Sequence, residues 1–322
     1  MIRVKFAQKL AISALFLMFF VKTQAQYMEA GIFVGGANYR GDLADKYHPD
    51  EWNTSYGLSL RYFYSPKIVW KTGFVNGQIT GNDLHFRSDD PRHDRNLSFR
   101  TQLIELSTQV EYSLLKYDVL DGKVSTPYVF AGIGATYFNP QAEFRGAWYD
   151  LRPLGTEGQG WMPGKKKYSS VAMVLPLGLG FRFALGRRVN LGFELGYRYS
   201  FSDHLDDVSG NYGDVMALSE QDYTAARLSY RTPELYNQSL SQPTTTKRGD
   251  ASKKDSYMFA GLCINFNLTD QYGLEWNKKY RIHDAEIAKQ KAKKGRKWWQ
   301  PKKKNFITQP PMPNTRTIEP KK

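Results

Sequence analysis

Eight segments of the chain alternate apolar and polar residues with a period of two. Four show the alternation plainly: 56–64, 104–114, 190–199 and 257–268. Four others are blurred by glycine-rich or doubly apolar stretches: 27–37, 68–80, 127–138 and 169–184. Because successive side chains of a strand point to opposite faces of a sheet, this period predicts eight β-strands and an all-β fold.

The connections between these segments alternate between long and short. Three are short: 65–67, 116–125 and 185–188. Four are long: 38–54, 81–99, 139–168 and 202–255. Short turns at one end and long loops at the other are typical of an eight-stranded antiparallel transmembrane β-barrel of the bacterial outer membrane. In that topology both termini lie in the periplasm and the long loops lie outside the cell.

The distribution of side chains between the two strand faces favours a membrane barrel over a soluble ligand-binding barrel. A soluble barrel would turn its apolar residues inward and its polar residues to water. Here the polar faces carry glycine and charges of both signs, whereas the apolar faces carry Leu, Phe and Tyr. Aromatic residues such as Trp70 and Tyr197 fall near strand ends, where the membrane interface is expected. We therefore expect the apolar faces to contact lipid.

The N-terminus reads as a secretory signal peptide over residues 1–25. Lys5 and Lys9 precede the apolar run 10–21, and Thr23-Gln24-Ala25 is a small-residue cleavage site. The run is too short for a membrane-spanning helix. The sequence thus predicts three parts: a signal peptide, a barrel over 26–269 and a C-terminal extension over 270–322.

Charge is concentrated at the two ends of the chain. Of the formal net charge of +14, the leader carries four basic residues, and residues 270–322 carry 15 basic and five acidic residues. The predicted barrel is therefore neutral, which argues against a nucleic-acid partner. The mean hydropathy of −0.55 is compatible with a barrel, since a transmembrane barrel places apolar residues at only every second position.

The inward faces of the predicted strands carry four acids and four bases. They are Glu29, Arg61, Lys71, Glu105, Glu111, Arg182, Glu194 and Arg198. An eight-stranded barrel is only wide enough for its own side chains, and an isolated buried charge is very costly. We therefore expect these residues to pair with one another and to fill the lumen, which predicts a plugged barrel and not a pore.

The sequence offers no catalytic constellation. The five histidines lie in loops or in the C-terminal extension, away from metal-ligand spacings and serine nucleophiles. Cys263 is alone, and is expected to be a buried thiol. We therefore expect a non-enzymatic protein without catalytic residues, bound metal, cofactor or small-molecule substrate, whose surroundings are outer-membrane lipid.

Five segments at the strand mouths and loops carry a family resemblance. They are GGANYRGDL (35–43), RNLSFR (95–100), PYVFAGIG (127–134), LGTEGQG (154–160) and LDDVS (205–209). These segments, taken in this order along the chain, resemble the PorG-like outer-membrane barrels of Bacteroidota. The resemblance covers about residues 27–269. The resemblance implies a component of the type IX protein secretion system, which also drives gliding motility in some species. It implies contact with the periplasmic ring of PorK and PorN.

The C-terminal extension combines tryptophans with a cluster of cations. Its candidate partner contacts are Trp298, Trp299, Lys302, Lys303 and Lys304. One interpretation is a solvated tail; the other is an arm that binds an acidic surface of a periplasmic partner or anionic lipid. The alternative to a secretion component is a stand-alone structural or adhesin-type surface barrel, whose extracellular loops carry the function.

Overall fold

The computed structural model describes residues 27–65, 67–117, 124–186 and 188–270. Its strands, in chain order, are β1 (Tyr27–Arg40), β2 (Asn53–Phe63), β3 (Ile68–Asn82), β4 (Ser98–Ser113), β5 (Ser125–Phe144), β6 (Ala147–Asp150), β7 (Val171–Ala184), β8 (Val189–Ser200) and β9 (Ser256–Asp270). All pairings are antiparallel, and β1 pairs with β9 to close a barrel of eight long strands. The predicted all-β, eight-stranded antiparallel barrel is confirmed.

The largest departures from the predicted strand ends are in β4 and β5. β4 begins at Ser98 instead of residue 104, and β5 continues to Phe144 instead of residue 138. Beyond the rim of the barrel the outward residues are polar, so the alternation that marked the strands no longer applies there. β5 then forms a hairpin with the short β6 through Arg145 and Gly146, whose φ angles of 52° and 79° suit a two-residue hairpin turn.

The outer surface of the barrel is a belt of apolar side chains. Leu58, Leu106 and Leu262 are among its most exposed members, at 62%, 61% and 66%. On β3 the outward residues are apolar or threonine from Ile68 to Phe74 and become polar at Asn76. At about 3.3 Å per residue and a tilt of about 40°, this stretch rises roughly 15 Å along the barrel axis, which is more than half of the apolar band of about 25 Å in outer-membrane barrels. The helices in the described part of the chain all lack the length and apolar character of a membrane span.

The long loops fold over one end of the barrel and form a structured cap. The cap contains four short α-helices: α1 (Leu151–Leu154), α2 (Val215–Gln221), α3 (Tyr223–Ser229) and α4 (Thr232–Leu235). The Asp214 and Asp222 side chains accept backbone N–H groups at the starts of α2 and α3, which satisfies donors that a helix leaves free. The cap thus has local structure that the sequence pattern did not predict.

We expect an arginine in the apolar belt to destabilise the barrel in a depth-dependent way. Leu106→Arg is expected to lower the free energy of unfolding in lipid vesicles by about 2–4 kcal/mol. Gln102→Arg, on the same face of β4 but at the polar rim, is the matched control and is expected to cost about 0–1 kcal/mol. Equal effects at the two positions would contradict the assignment of the lipid-facing surface.

Candidate functional site

Arg61 on β2 lies at the centre of the lumen and is 1% exposed. Its Nε donates to Glu111 Oε1 at 2.9 Å, and its terminal nitrogens donate to Glu194 and Asn265. Those partners lie on β4, β8 and β9, so one side chain connects four strands across the barrel. A Cβ at Gly31 would lie 2.2 Å from Asn265 Oδ1, so glycine leaves the space that this contact needs.

Two further cations neutralise the central carboxylates. Lys71 Nζ lies 2.5 Å from Glu194 Oε2, and Arg182 Nη2 lies 2.5 Å from Glu111 Oε2. The Tyr128 hydroxyl donates to Glu194 Oε1 at 2.7 Å. All four oxygens of the two carboxylates therefore accept a hydrogen bond from a charged or phenolic donor, the arrangement that a buried ion pair requires.

The other two predicted lumen acids lie on either side of this centre. Glu105 Oε2 accepts hydrogen bonds from Arg198 Nε at 3.2 Å and from the Tyr257 hydroxyl at 2.8 Å. Glu29 Oε1 accepts a hydrogen bond from Asn190 Nδ2 at 2.7 Å. The structure therefore places all eight predicted charged residues inside the barrel, each of them 7% exposed or less.

Sequence reasoning missed the neutral side chains that complete this network. They are Tyr128, Asn190, Tyr257 and Asn265. All four lie on inward faces, so the same period of two could have identified them. They carry no charge, so a prediction based on acids and bases does not include them.

An apolar cluster closes the lumen at the short-turn end. Phe63, Val69, Tyr117 and Ala184 form this lower seal, with the rings of Phe63 and Tyr117 stacked at 6.3 Å between centroids. The Arg182 guanidinium carbon lies 4.9 Å from the centre of the Phe63 ring, so the seal also contacts the ionic network.

A larger apolar cluster closes the lumen at the cap. In this upper seal, Phe138 and Phe259 from the strands pack with Leu205 and Val208 from the loop that follows β8. Between the seals lies a cavity of about 20 Å³ beside Lys71 and other polar side chains, which is space for about one water molecule. Within the described residues, the lumen is thus packed along its length.

Two buried ionic networks hold the cap together. In the first, Arg95 Nη2 lies 2.6 Å from Asp83 Oδ1, and the same nitrogen donates to the Asp42 carbonyl at 2.9 Å. Burial raises the pKa of Asp83 to about 6, because desolvation outweighs the attraction of the nearby Arg95 guanidinium. This network joins the loops that follow β1 and β3.

In the second network, Arg248 Nη1 lies 3.1 Å from Glu157 Oε1. Glu157 also accepts the backbone N–H of Ser209 at 3.0 Å. Asp207 Oδ1 accepts the Tyr168 hydroxyl at 2.6 Å, and burial raises the pKa of Asp207 to about 6. These contacts join the loop between β6 and β7 to the loop between β8 and β9.

Four of the five segments that carry the family resemblance meet in the cap. They are 35–43, 95–100, 154–160 and 205–209, which supply Asp42, Arg95, Glu157 and Asp207 respectively. The fifth, 127–134, forms part of the barrel wall and supplies Tyr128 to the lumen. These segments thus supply buried contacts of the cap and the lumen.

The histidines within the described residues lie in the cap loops. The rings of His48 and His85 lie 4.8 Å apart between centroids, and His85 Nδ1 lies 3.3 Å from Glu51 Oε1. His204 packs on the Tyr168 ring at 4.4 Å, and burial lowers its pKa. The described ranges contain no group of three or more His, Cys, Asp or Glu side chains that could hold a metal ion.

The predicted partner contacts belong to the C-terminal extension. Trp298, Trp299, Lys302, Lys303 and Lys304 lie outside the described residues. Their role as partner contacts therefore stays a prediction. Cys263, in contrast, is buried on β9 and faces the lumen, as expected of a structural thiol.

A closed barrel with an apolar belt and a lumen filled by paired charges defines the class: an integral outer-membrane β-barrel protein. The chain belongs to the family described as "Domain of unknown function (DUF6089)", whose model matches residues 8–219. The match covers β1 to β8 and part of the cap. A search of the curated proteins found no match.

Solved outer-membrane barrels show distant likeness to the chain. The N-terminal β-barrel domain of Pseudomonas aeruginosa OprF is 12% identical, with 74% of this chain and 97% of that chain covered and a TM-score of 0.32. Ail of Yersinia pestis, in complex with the heparin analogue sucrose octasulfate, is 12% identical, with 75% and 99% covered and a TM-score of 0.32. The Escherichia coli outer-membrane protease OmpT is 5% identical, with 77% and 99% covered and a TM-score of 0.34. At these TM-scores the assignment of the fold rests on the strand pairing of the chain itself.

Loss of the central cation is expected to leave two buried carboxylates without their shared partner. Arg61→Met is expected to lower the free energy of unfolding by about 3–5 kcal/mol. Arg87→Met is the matched control, because the Arg87 ion pair with Asp89 is exposed and such pairs contribute at most about 1 kcal/mol. Denaturant unfolding in detergent micelles measures both; a similar small loss in the two variants would contradict the central role of Arg61.

Proposed function

We propose that the protein is a non-enzymatic, non-conducting outer-membrane component of the type IX protein secretion machinery, which contacts the periplasmic ring of PorK and PorN. The observation that carries the proposal is the filled lumen: the ion pairs of Arg61, the lower seal and the upper seal leave no space for a transported molecule. A barrel of this kind acts through its two ends and its lipid-facing wall. The resemblance over residues 27–269 supports the link to secretion.

The short-turn end is the end that faces the periplasm in this proposal. Tyr27 of β1 pairs with Asp270 of β9, so the strands begin and finish at the same end of the barrel. The extension of 270–322, with its excess of ten positive charges, follows directly from β9. Flanking cations would attract an acidic surface, and the adjacent Trp298 and Trp299 would supply apolar contacts. The extension is therefore the part of the chain suited to bind a periplasmic protein.

A stand-alone structural or adhesin-type surface barrel is the second candidate function. The β5–β6 hairpin favours it, since the hairpin extends past the barrel rim and leaves Trp148 42% exposed, stacked on Arg100 at 3.7 Å. In that case the cap carries the function and the extension is dispensable. Deleting the hairpin tip and deleting the extension separate the two candidates.

We expect no steady ion conductance from the purified protein in planar lipid bilayers, because the lumen is packed with paired charges and sealed at both ends. A conducting porin in the same bilayers is the control. A stable ohmic current that scales with the amount of inserted protein would contradict the non-conducting assignment.

Deletion of residues 278–322 is expected to leave barrel assembly intact and to reduce co-purification of PorK and PorN from solubilised outer membranes. Because the contact is partly electrostatic, recovery with the full chain is expected to fall as salt is raised. Lys302→Gln, Lys303→Gln and Lys304→Gln together are expected to weaken that salt dependence, whereas Trp298→Ala and Trp299→Ala are expected to preserve it.

The matched control is deletion of the β5–β6 hairpin tip, which shortens the opposite end of the barrel. It is expected to leave co-purification unchanged. Full recovery of the ring proteins with the variant that lacks the extension would refute the proposed contact, and loss of surface adhesion only in the hairpin variant would favour the second candidate.

A further inference from the structure

Three buried side chains meet at the base of the cap, apart from its ionic networks. Tyr39 lies near the end of β1, Asp206 lies in the loop after β8, and Asp255 directly precedes β9. Each is 1% exposed. The Tyr39 Oη lies 2.7 Å from Asp206 Oδ2 and 2.7 Å from Asp255 Oδ1.

The number of protons in this cluster follows from its geometry. A phenol has one proton to donate and can accept further hydrogen bonds through its lone pairs. The Asp42 backbone N–H donates to the same Oη at 3.1 Å. If the phenol donates its proton to one aspartate, the carboxyl of the other aspartate still lies at hydrogen-bonding distance from the Tyr39 Oη. That oxygen has no second proton to donate. That second carboxyl must therefore be protonated and donate to the phenol.

The other contacts of the two carboxyls leave no cation to replace this proton. Asp206 Oδ1 accepts the Val208 N–H at 2.9 Å, and Asp255 Oδ2 accepts the Leu205 N–H at 2.8 Å. Within the described residues, neither aspartate forms an ion pair with Arg, Lys or His. Burial raises the pKa of both carboxyls well above the usual range, and the nearby Asp255 raises the pKa of Asp206 further.

Charged groups around the cluster belong to several elements of the cap. Asp42, in the loop after β1, and Asp203, in the loop after β8, both raise the pKa of Asp255 by charge repulsion. Arg95 lies near Asp42, and Lys254 lies near Asp203. The next groups outward are the pair of Arg248 and Glu157 with Asp207, and His204 on the Tyr168 ring. The nearest charged neighbours are thus acids, which disfavour a second negative charge.

We propose that Tyr39, Asp206 and Asp255 form a proton-dependent latch, in which one proton shared between the two carboxyls through the phenol holds the loop of residues 202–210 onto β1 and β9. Loss of that proton leaves two facing carboxylates and releases the loop. The same loop supplies Leu205 and Val208 to the upper seal, so release of the latch also loosens the closure of the lumen.

The direction of the pH dependence follows from proton linkage. In the opened loop both carboxyls ionise near pH 4, whereas the closed latch retains one proton. The stabilisation is therefore complete at low pH and is lost as pH rises through the raised pKa of the closed state. Between about pH 4 and that pKa each opening releases one proton, so the equilibrium constant for opening rises about tenfold per pH unit.

Other acids of the cap titrate at lower pH and can be separated from the latch. Burial raises the pKa of Asp203 to about 7, and that of Asp83 and Asp207 to about 6. Above about pH 8 these groups are ionised in both the open and the closed cap, so they add no further slope. Burial also raises the pKa of Asp42. The variant Asp42→Asn therefore serves as a control for the titration of this residue.

The test is hydrogen exchange of the Leu205 and Val208 amides in the full barrel in detergent micelles, from about pH 8 to about pH 9.5, corrected for the intrinsic pH dependence of exchange. In the wild type the protection factors are expected to fall as pH rises, by at most about tenfold per pH unit, because each opening releases the proton of the latch. In Asp206→Asn and in Asp255→Asn they are expected to stay constant, because an amide nitrogen supplies a permanent donor to the phenol. Asp42→Asn and the exposed Asp89→Asn are the controls and are expected to keep the wild-type slope.

Constant protection in the wild type, or the wild-type slope in both asparagine variants, would overturn the latch. An infrared measurement of the wild type alone gives a second criterion that does not depend on the variants folding. At the lower pH limit the spectrum is expected to show the carbonyl band of a protonated carboxylic acid, because the closed latch retains one proton; a spectrum without such a band would overturn the proposal.

Discussion

The ion pairs that Arg61 forms with Glu111 and Glu194 are the interaction on which the rest of the structure depends. A barrel of eight strands has no room for bulk water, so each charge that points inward needs a partner of opposite sign. The four acids and four bases of the lumen meet this requirement together with neutral donors such as Tyr128. Once the charges are neutralised inside, the alternate residues of every strand are free to face lipid with apolar side chains such as Leu106 and Leu262.

Because the lumen is filled, the two ends of the barrel are the surfaces left for binding other molecules. At one end the loops form a cap, whose buried pairs of Arg95 with Asp83 and Arg248 with Glu157 connect segments far apart in the chain. The segments that carry the family resemblance supply residues to these pairs. At the other end the strands finish beside the lower seal, and the basic extension follows. This division fits the proposed role of a non-conducting protein that contacts partners through its ends.

The sequence predicted the strands well because lipid outside and charge inside impose a strict period of two. It failed where that contrast disappears: at Ser98–Gln102 and Asn139–Phe144 the strands extend past the rim, and polar side chains occupy the outer face. It also predicted which charges point inward, but not that Arg61 would contact Glu194, 133 residues away, since pairing depends on the stagger of the closed barrel. The sequence pattern did not predict the structure of the cap. Contacts such as that of Tyr39 with Asp255 depend on loop conformations, which leave no periodic signal in the sequence.

Photo-crosslinking of the wild-type protein in bilayers, with a phospholipid that carries a carbene precursor in its acyl chain, tests the central claim most directly. The orientation described here predicts adducts on Leu58, Leu106 and Phe193 of the outer face, and no adducts on the lumen residues Arg61, Glu111 and Glu194. Adducts on the charged face of the strands, or a barrel wall that acquires none, would contradict it.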